Sequence, residues 1–273
     1  MTVPLVRARF AAVVSEEESR LDLALAALLV AAEAYPQLAP EPYLQRLDLL
    51  AEHVKDRLSD ETAPPVILNE ISRLLFEEEG FRGNSEAYYD PRNSFLNDVL
   101  DRKLGIPLTL GIVFLEIGWR LELPLAGVNF PGHFLLRYEG EALRLLVDPF
   151  HAGQIRFEDQ AQDLLDRVYG GSVPMKQEYL RTATKRDILV RLLANLKSIY
   201  LNTRDDAQAL AAIDRILLIR PDTPEEIRDR GMTLARIGQV DEAIQALARY
   251  LEIEPAASDA GRVKLLLEQL EKT

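Results

Sequence analysis

The sequence predicts an α+β fold, mostly helical, with one small antiparallel sheet built around residues 125–148. Three observations predict it. Apolar residues recur at three- and four-residue spacing through much of the first half, which is helical periodicity. Residues 126–130, 133–138 and 142–147 are three short β-rich runs joined by Pro131-Gly132 and Glu139-Gly140-Glu141, and tight turns between neighbouring strands imply an antiparallel meander. Near the C-terminus the chain repeats itself with a period of 34 residues: Pro221 with Pro255, Ala209 with Ala243, Ile213 with Leu247, Tyr200 with Leu234.

Taken in order, Ser15-Glu16-Glu17-Glu18 has the form of a capping box. It is expected to open a helix over 21–34 that Pro36 ends. A second helix is expected over 41–58, because Tyr43, Leu47, Leu50, Val54 and Leu58 form one stripe. A third is expected over 65–79, with Ile67, Ile71, Leu74 and Leu75 inward and Gly80 at its end. The polar stretch from Arg82 to Asn93 reads as a loop, either a turn pinned by Asp90-Pro91 or a functional segment. Helices over 94–104 and 107–121 follow, with Pro107 in a first turn that tolerates proline. Past the meander, the chain is expected to be helical from about Glu158.

Thirty-four residues is the tetratricopeptide period, two antiparallel helices per unit with small residues where they cross. Gly231 and Gly238 suit the second unit, whereas Lys197 stands where the first prefers a small residue. Residues 258–272 are expected to cap the array. Two units are few for an array that stands alone, so docking on the preceding domain is expected. The expected domains are 1–182 and 183–273.

Composition narrows the function. The chain of 273 residues carries a net charge of −12 and no dense run of lysine or arginine, so no nucleic-acid partner is expected. No apolar run is long enough to span a bilayer, and no apolar stretch follows Arg7 and Arg9 as a secretory signal would require. A cytoplasmic protein with no membrane partner is the expectation. There is no cysteine, which excludes disulfides, thiolate metal sites and a thiol nucleophile together. His53, His133 and His151 form no HxxxH or HExxH pair, so no metal is expected; without a phosphate loop, no cofactor is expected either.

Two residues suggest chemistry. His133 opens one strand and Asp148 closes the next, so antiparallel pairing brings an imidazole beside a carboxylate. That is the orienting half of a nucleophilic triad, or a structural polar pair. The run from Tyr88 to Arg102, then Gly105-Ile106-Pro107, Phe130-Pro131-Gly132-His133-Phe134-Leu135 and Val147-Asp148-Pro149-Phe150, resembles the SirB family. These are transglutaminase-like proteins with a C-terminal tetratricopeptide region. The resemblance covers essentially the whole chain. It implies a transglutaminase-like, distantly papain-like core in which His133 and Asp148 match the histidine and aspartate of active relatives. It places the nucleophile near the start of the 107–121 helix, at Leu108 or Thr109. Neither is cysteine, so thiol chemistry does not carry over.

Each remaining candidate has two readings. Thr109 offers a hydroxyl nucleophile or, more commonly at a helix start, a cap. Asn93 and Asn97 line the pocket or tie down the loop. Tyr89 and its neighbour Tyr88 line a groove or enter the core. Arg102 binds an anion or pairs with Asp98 four residues back. Trp119 reads as core, His151 as a solvated turn residue and His53 as surface. Two functions follow. One is a non-catalytic module that binds a protein or peptide through a retained His–Asp pocket and the helical repeats. The other is a hydrolase or acyltransferase using His133 and Asp148 with water or Thr109 as nucleophile.

Overall fold

The computed structural model describes residues 2–58, 61, 63–140 and 143–272. Glu141 and Ala142, which the meander was expected to include, lie outside them. The chain divides into two compact units, Met1–Leu189 and Val190–Thr273. The first runs past the expected break at 182/183, because a short strand there still belongs to its sheet.

The first unit opens with α1 (Val3–Ser15) and α2 (Leu23–Ala34). Ser15 ends a helix rather than starting one, its hydroxyl bonding back to the Ala12 carbonyl. Asp22 caps α2 instead, accepting the Leu25 N–H at 2.8 Å. Nearly every residue of α2 is buried, as its apolar all-round composition requires. Then come α3 (Pro40–Leu58) and α4 (Pro64–Ser72), the latter widening into a π-helical stretch, Arg73–Glu78. Strand β1 (Arg82–Gly83) forms a two-residue parallel ladder with β2 (Leu104–Gly105), and α5 (Leu96–Arg102) lies between them.

Helix α6 (Pro107–Arg120) is the centre of this unit, buried from Pro107 to Gly118. One face of the sheet covers it. The strands β3 (Leu125–Val128), β4 (Leu135–Glu139) and β5 (Arg144–Asp148) form the expected antiparallel meander. Two strands were not foreseen, β6 (Gln154–Phe157) and β7 (Thr182–Ala183), giving the order β6-β5-β4-β3-β7. Alternation sorts the side chains. Phe134 and Leu136 face α6, where Gly111 leaves room for the Phe134 ring. Val128, Leu135 and Leu146 face the other way, against Ala161, Leu164 and Leu165 of α7 (Ala161–Tyr169).

The second unit contains most of α8 (Lys185–Thr203), then α9 (Asp206–Ile219), α10 (Pro224–Arg236), α11 (Val240–Ile253) and α12 (Ala260–Leu270). These are the expected hairpins and cap. A Cβ on Gly231 would sit 2.7 Å from Leu247, so this glycine sets the α10–α11 approach. Lys197 occupies the equivalent place one repeat earlier. It reaches across instead, its Nζ 2.6 Å from Glu226 and 3.0 Å from Asp229. Among the described residues no helix is long and apolar enough to cross a membrane.

Candidate functional site

The hairpin between β3 and β4 turns through Phe130–His133, with the His133 N–H on the Phe130 carbonyl and Gly132 at φ 66°. Glycine suits that left-handed position. Leu136 pairs with Val147 across β4 and β5, so the end of β5 lies beside the start of β4. There the Nε2 of His133 and Oδ1 of Asp148 are 2.8 Å apart. Both residues are buried, His133 being 8% exposed.

Asp148 is held from more than one side. It caps the short turn Pro149–His151, where its Oδ1 accepts the N–H groups of Phe150 and His151 at 3.1 and 3.3 Å. Its Oδ2 lies 2.8 Å from the Nδ1 of His151. Burial pushes the carboxyl up, but the hydrogen bond and attraction of His133, with His151 beside it, outweigh this and hold it below the ordinary value. An ionised carboxylate only accepts hydrogen bonds, so both imidazoles turn a protonated nitrogen toward it. Nδ1 of His133 then lies on the far side of the ring.

His151 was the residue missed. It reads from sequence as a solvated turn residue, and its side chain is 49% exposed. Its ring nevertheless returns to Asp148, three residues back. The signal available was the turn itself: an aspartate before proline commonly caps the residues two and three ahead.

The ligand atoms of His133, Asp148 and His151 all lie within 4.8 Å of one another, close enough to hold a metal ion. The expectation of no metal rested on helix-borne histidine pairs, and this group comes from a hairpin and a turn instead. Its present state is a hydrogen-bonded cluster. Four N–H groups point at the two carboxylate oxygens, two of them from backbone. A cation would have to displace both imidazole protons.

The start of α6 lies beside this cluster. Gly83 pairs with Gly105, just before α6, and a Cβ on Gly83 would strike the Phe150 ring. The turn Pro149–His151 also packs against α6. Leu108 and Thr109 are buried there. The Thr109 hydroxyl donates to the Asn93 carbonyl at 2.7 Å and accepts the Ile106 N–H at 3.1 Å. It closes a capping arrangement, and a hydroxyl so engaged is not poised to attack.

Asn93 and Asn97 do not act as a pair. Asn93 is fully buried, and its amide holds the loop: Nδ2 donates to the Ala87 and Tyr88 carbonyls, and Oδ1 accepts from Asn84. Asn84, not singled out from sequence, completes the strut by donating its N–H to Gly105. Asn97 is buried with Oδ1 unpartnered. Arg102 faces Asp90 at 3.7 Å rather than Asp98, which accepts a hydrogen bond from the Tyr35 hydroxyl. Tyr89 is no core residue: it is 75% exposed.

Tyr89 is the outer end of a series of rings. It meets Tyr88 edge-on at 5.3 Å, Tyr88 meets Phe150 at 6.4 Å, and Phe150 meets His133 at 6.0 Å and His151 at 5.5 Å. These are ordinary aromatic contact distances. The series thus runs from an exposed ring, Tyr89, to the buried His133–Asp148 pair.

The comparisons with known proteins agree with this architecture. Residues 41–194 match the transglutaminase-like superfamily, and residues 196–268 match the tetratricopeptide repeat. A UPF0162 protein of Xylella fastidiosa is 36% identical over 251 residues, covering 91% of this chain and 89% of its own. A UPF0162 protein of Vibrio cholerae is 35% identical over 199 residues, covering 72% of this chain and 73% of its own. Protein SirB1 of Salmonella typhimurium is 30% identical over 211 residues, 77% of each chain. No solved structure matches. On the strength of these relatives and of the transglutaminase-like and tetratricopeptide parts in this order, the chain belongs to the UPF0162/SirB family.

Proposed function

We propose that this protein is a non-catalytic binding module of the cytoplasm, in which a retained His133–Asp148 pocket holds a carbonyl or carboxylate of a protein or peptide partner. The observation that carries the reading is the ring series from Tyr89 to His133, which gives an exposed apolar approach to a fixed polar pair. The positions where relatives with thiol chemistry place a nucleophile hold Leu108 and a committed Thr109 hydroxyl. The start of α6 beside the pocket favours negative charge. The tetratricopeptide helices add a second binding surface.

The alternative with a specific observation behind it is a hydrolase. Asp148 holds Nε2 of His133, which is how a carboxylate orients a general base toward water. The test compares the whole chain with His133→Ala and Phe150→Ala. Partners captured from native lysate should be lost in both variants, whose circular dichroism should match the parent. Hydrolysis of peptide or ester substrates by the parent, abolished in His133→Ala, would overturn the non-catalytic reading.

A further inference from the structure

The second unit carries a groove along α10. Two hollows of about 670 and 680 Å³ are both lined by Met232 and Arg236, so they lie side by side along α10. Leu201 and Arg204, at the end of α8 and the turn after it, complete one hollow. Arg262, Leu265 and Leu266 of α12 complete the other. The apolar lining includes Leu265, which is 62% exposed.

The arginines differ in their bonding. Arg228, Arg230, Arg236 and Arg249 in this unit each pair with an aspartate. Among the described residues, the side chains of Arg204 and Arg262 have no hydrogen-bond or ion-pair partner. In a chain of net charge −12, two unpaired guanidinium groups on one groove run against the composition. The groove's own acids are already matched: Asp206 pairs with Arg236, and Asp229 with Lys197 and Arg228.

Arg204 is also held in an unfavourable backbone conformation. Its φ is 58°, in the left-handed region. One repeat later (238 − 204 = 34) the same place is Gly238, at φ 80°. Glycine adopts this conformation without the steric cost that an L-residue carries. The first repeat therefore keeps an arginine where the backbone favours glycine, and that arginine lines the groove.

We propose that this groove binds an extended acidic peptide carrying an apolar side chain. The apolar group packs on Met232, Leu265 and Leu266, and carboxylates of the peptide meet Arg204 and Arg262, whose planar guanidinium groups accommodate them two bonds at a time. This specifies the partner chemistry of the repeat half of the function proposed above, rests on that half, and is independent of the His133 pocket.

The test pans a display library of random short peptides against the full chain. Enriched sequences should combine Asp or Glu with Leu, Met or Phe, and their binding should weaken as salt rises. Arg262→Ala should weaken them by about tenfold or more, the loss of a charge-assisted bond. Arg204→Gly should weaken the same peptides without lowering the melting temperature, and that separates a binding role from a structural one. Enrichment and affinity should persist in His133→Ala, so failure here is distinguishable from failure of the pocket. The proposal is overturned by no enrichment, by enrichment of neutral or basic sequences, or by acidic peptides that bind both arginine variants as well as the parent.

Discussion

Thr109→Val tests whether this hydroxyl is a strut or a reactive group. The substitution keeps size and shape while removing the hydroxyl, so its effect isolates two hydrogen bonds. One partner is the Ile106 N–H at 3.1 Å; the other is the Asn93 carbonyl at 2.7 Å, and both bonds are buried. Water cannot replace the hydroxyl without a place to enter. An unsatisfied buried donor or acceptor costs about 1–3 kcal/mol each, so the loss should be about 2–6 kcal/mol. Thr109→Ser keeps both bonds and removes one methyl group, which costs about 1 kcal/mol. Urea unfolding of the two variants and the parent, followed by circular dichroism, gives the comparison. A valine variant within about 0.5 kcal/mol of the parent would refute the strut. So would a serine variant as damaging as valine.

Four further outcomes are expected. Asp148 titrates below its ordinary value, so its contribution to stability is complete above the ordinary aspartate range near pH 3.9 and is lost as pH falls through the lower native value; Asp148→Asn should remove that part of the acid loss in urea titrations. Glu116 has the opposite sign: burial raises its pKa despite hydrogen bonds from Arg120 and the Ala24 N–H, so its charge is a cost relieved as pH falls through the native value. Burial acts to lower the pKa of Arg120, but its hydrogen bonds to Asp48 and Glu116 outweigh this and raise it, so it stays charged while Glu116 titrates, and the stability of the parent relative to the Glu116→Gln variant should rise as pH drops. Gly231→Ala forces a Cβ to 2.7 Å from Leu247 and 3.1 Å from its backbone nitrogen, so a change that ordinarily strengthens a helix should instead cost about 1–3 kcal/mol by thermal melt. Lys197→Met leaves Glu226 without its cation, and its Oε2 already has no partner; a loss of about 2–4 kcal/mol is expected by urea unfolding, somewhat below that of a fully buried pair.

Helix positions were legible where periodicity was strong. The stripe of α3 and the proline at the head of α6 locate both within a residue or so. The first helix was missed because α1 has little contrast between its faces, and Ser15-Glu16-Glu17-Glu18 imitates a helix start while lying at a helix end. Strands β6 and β7 were missed for another reason. They are four and two residues long, and so short a strand is defined by the neighbour it pairs with rather than by its own composition.

The sequence by itself determined the absence of thiol chemistry, the repeat period, the antiparallel meander and the adjacency of His133 to Asp148. Each follows from residue identity or from spacing along the chain. Only the tertiary structure decided which polar groups are spent and which remain available. Asn93 and Thr109 look like pocket residues, yet both are consumed in holding the loop against α6. His151 and Tyr89 look incidental, yet one returns to Asp148 and the other begins the ring series at the surface. Arg204 and Arg262 are two arginines among many until the partners of the others are known. A side chain's chemistry is local, but its availability depends on groups far away in sequence, because each donor and acceptor satisfied by the fold is one withdrawn from a ligand.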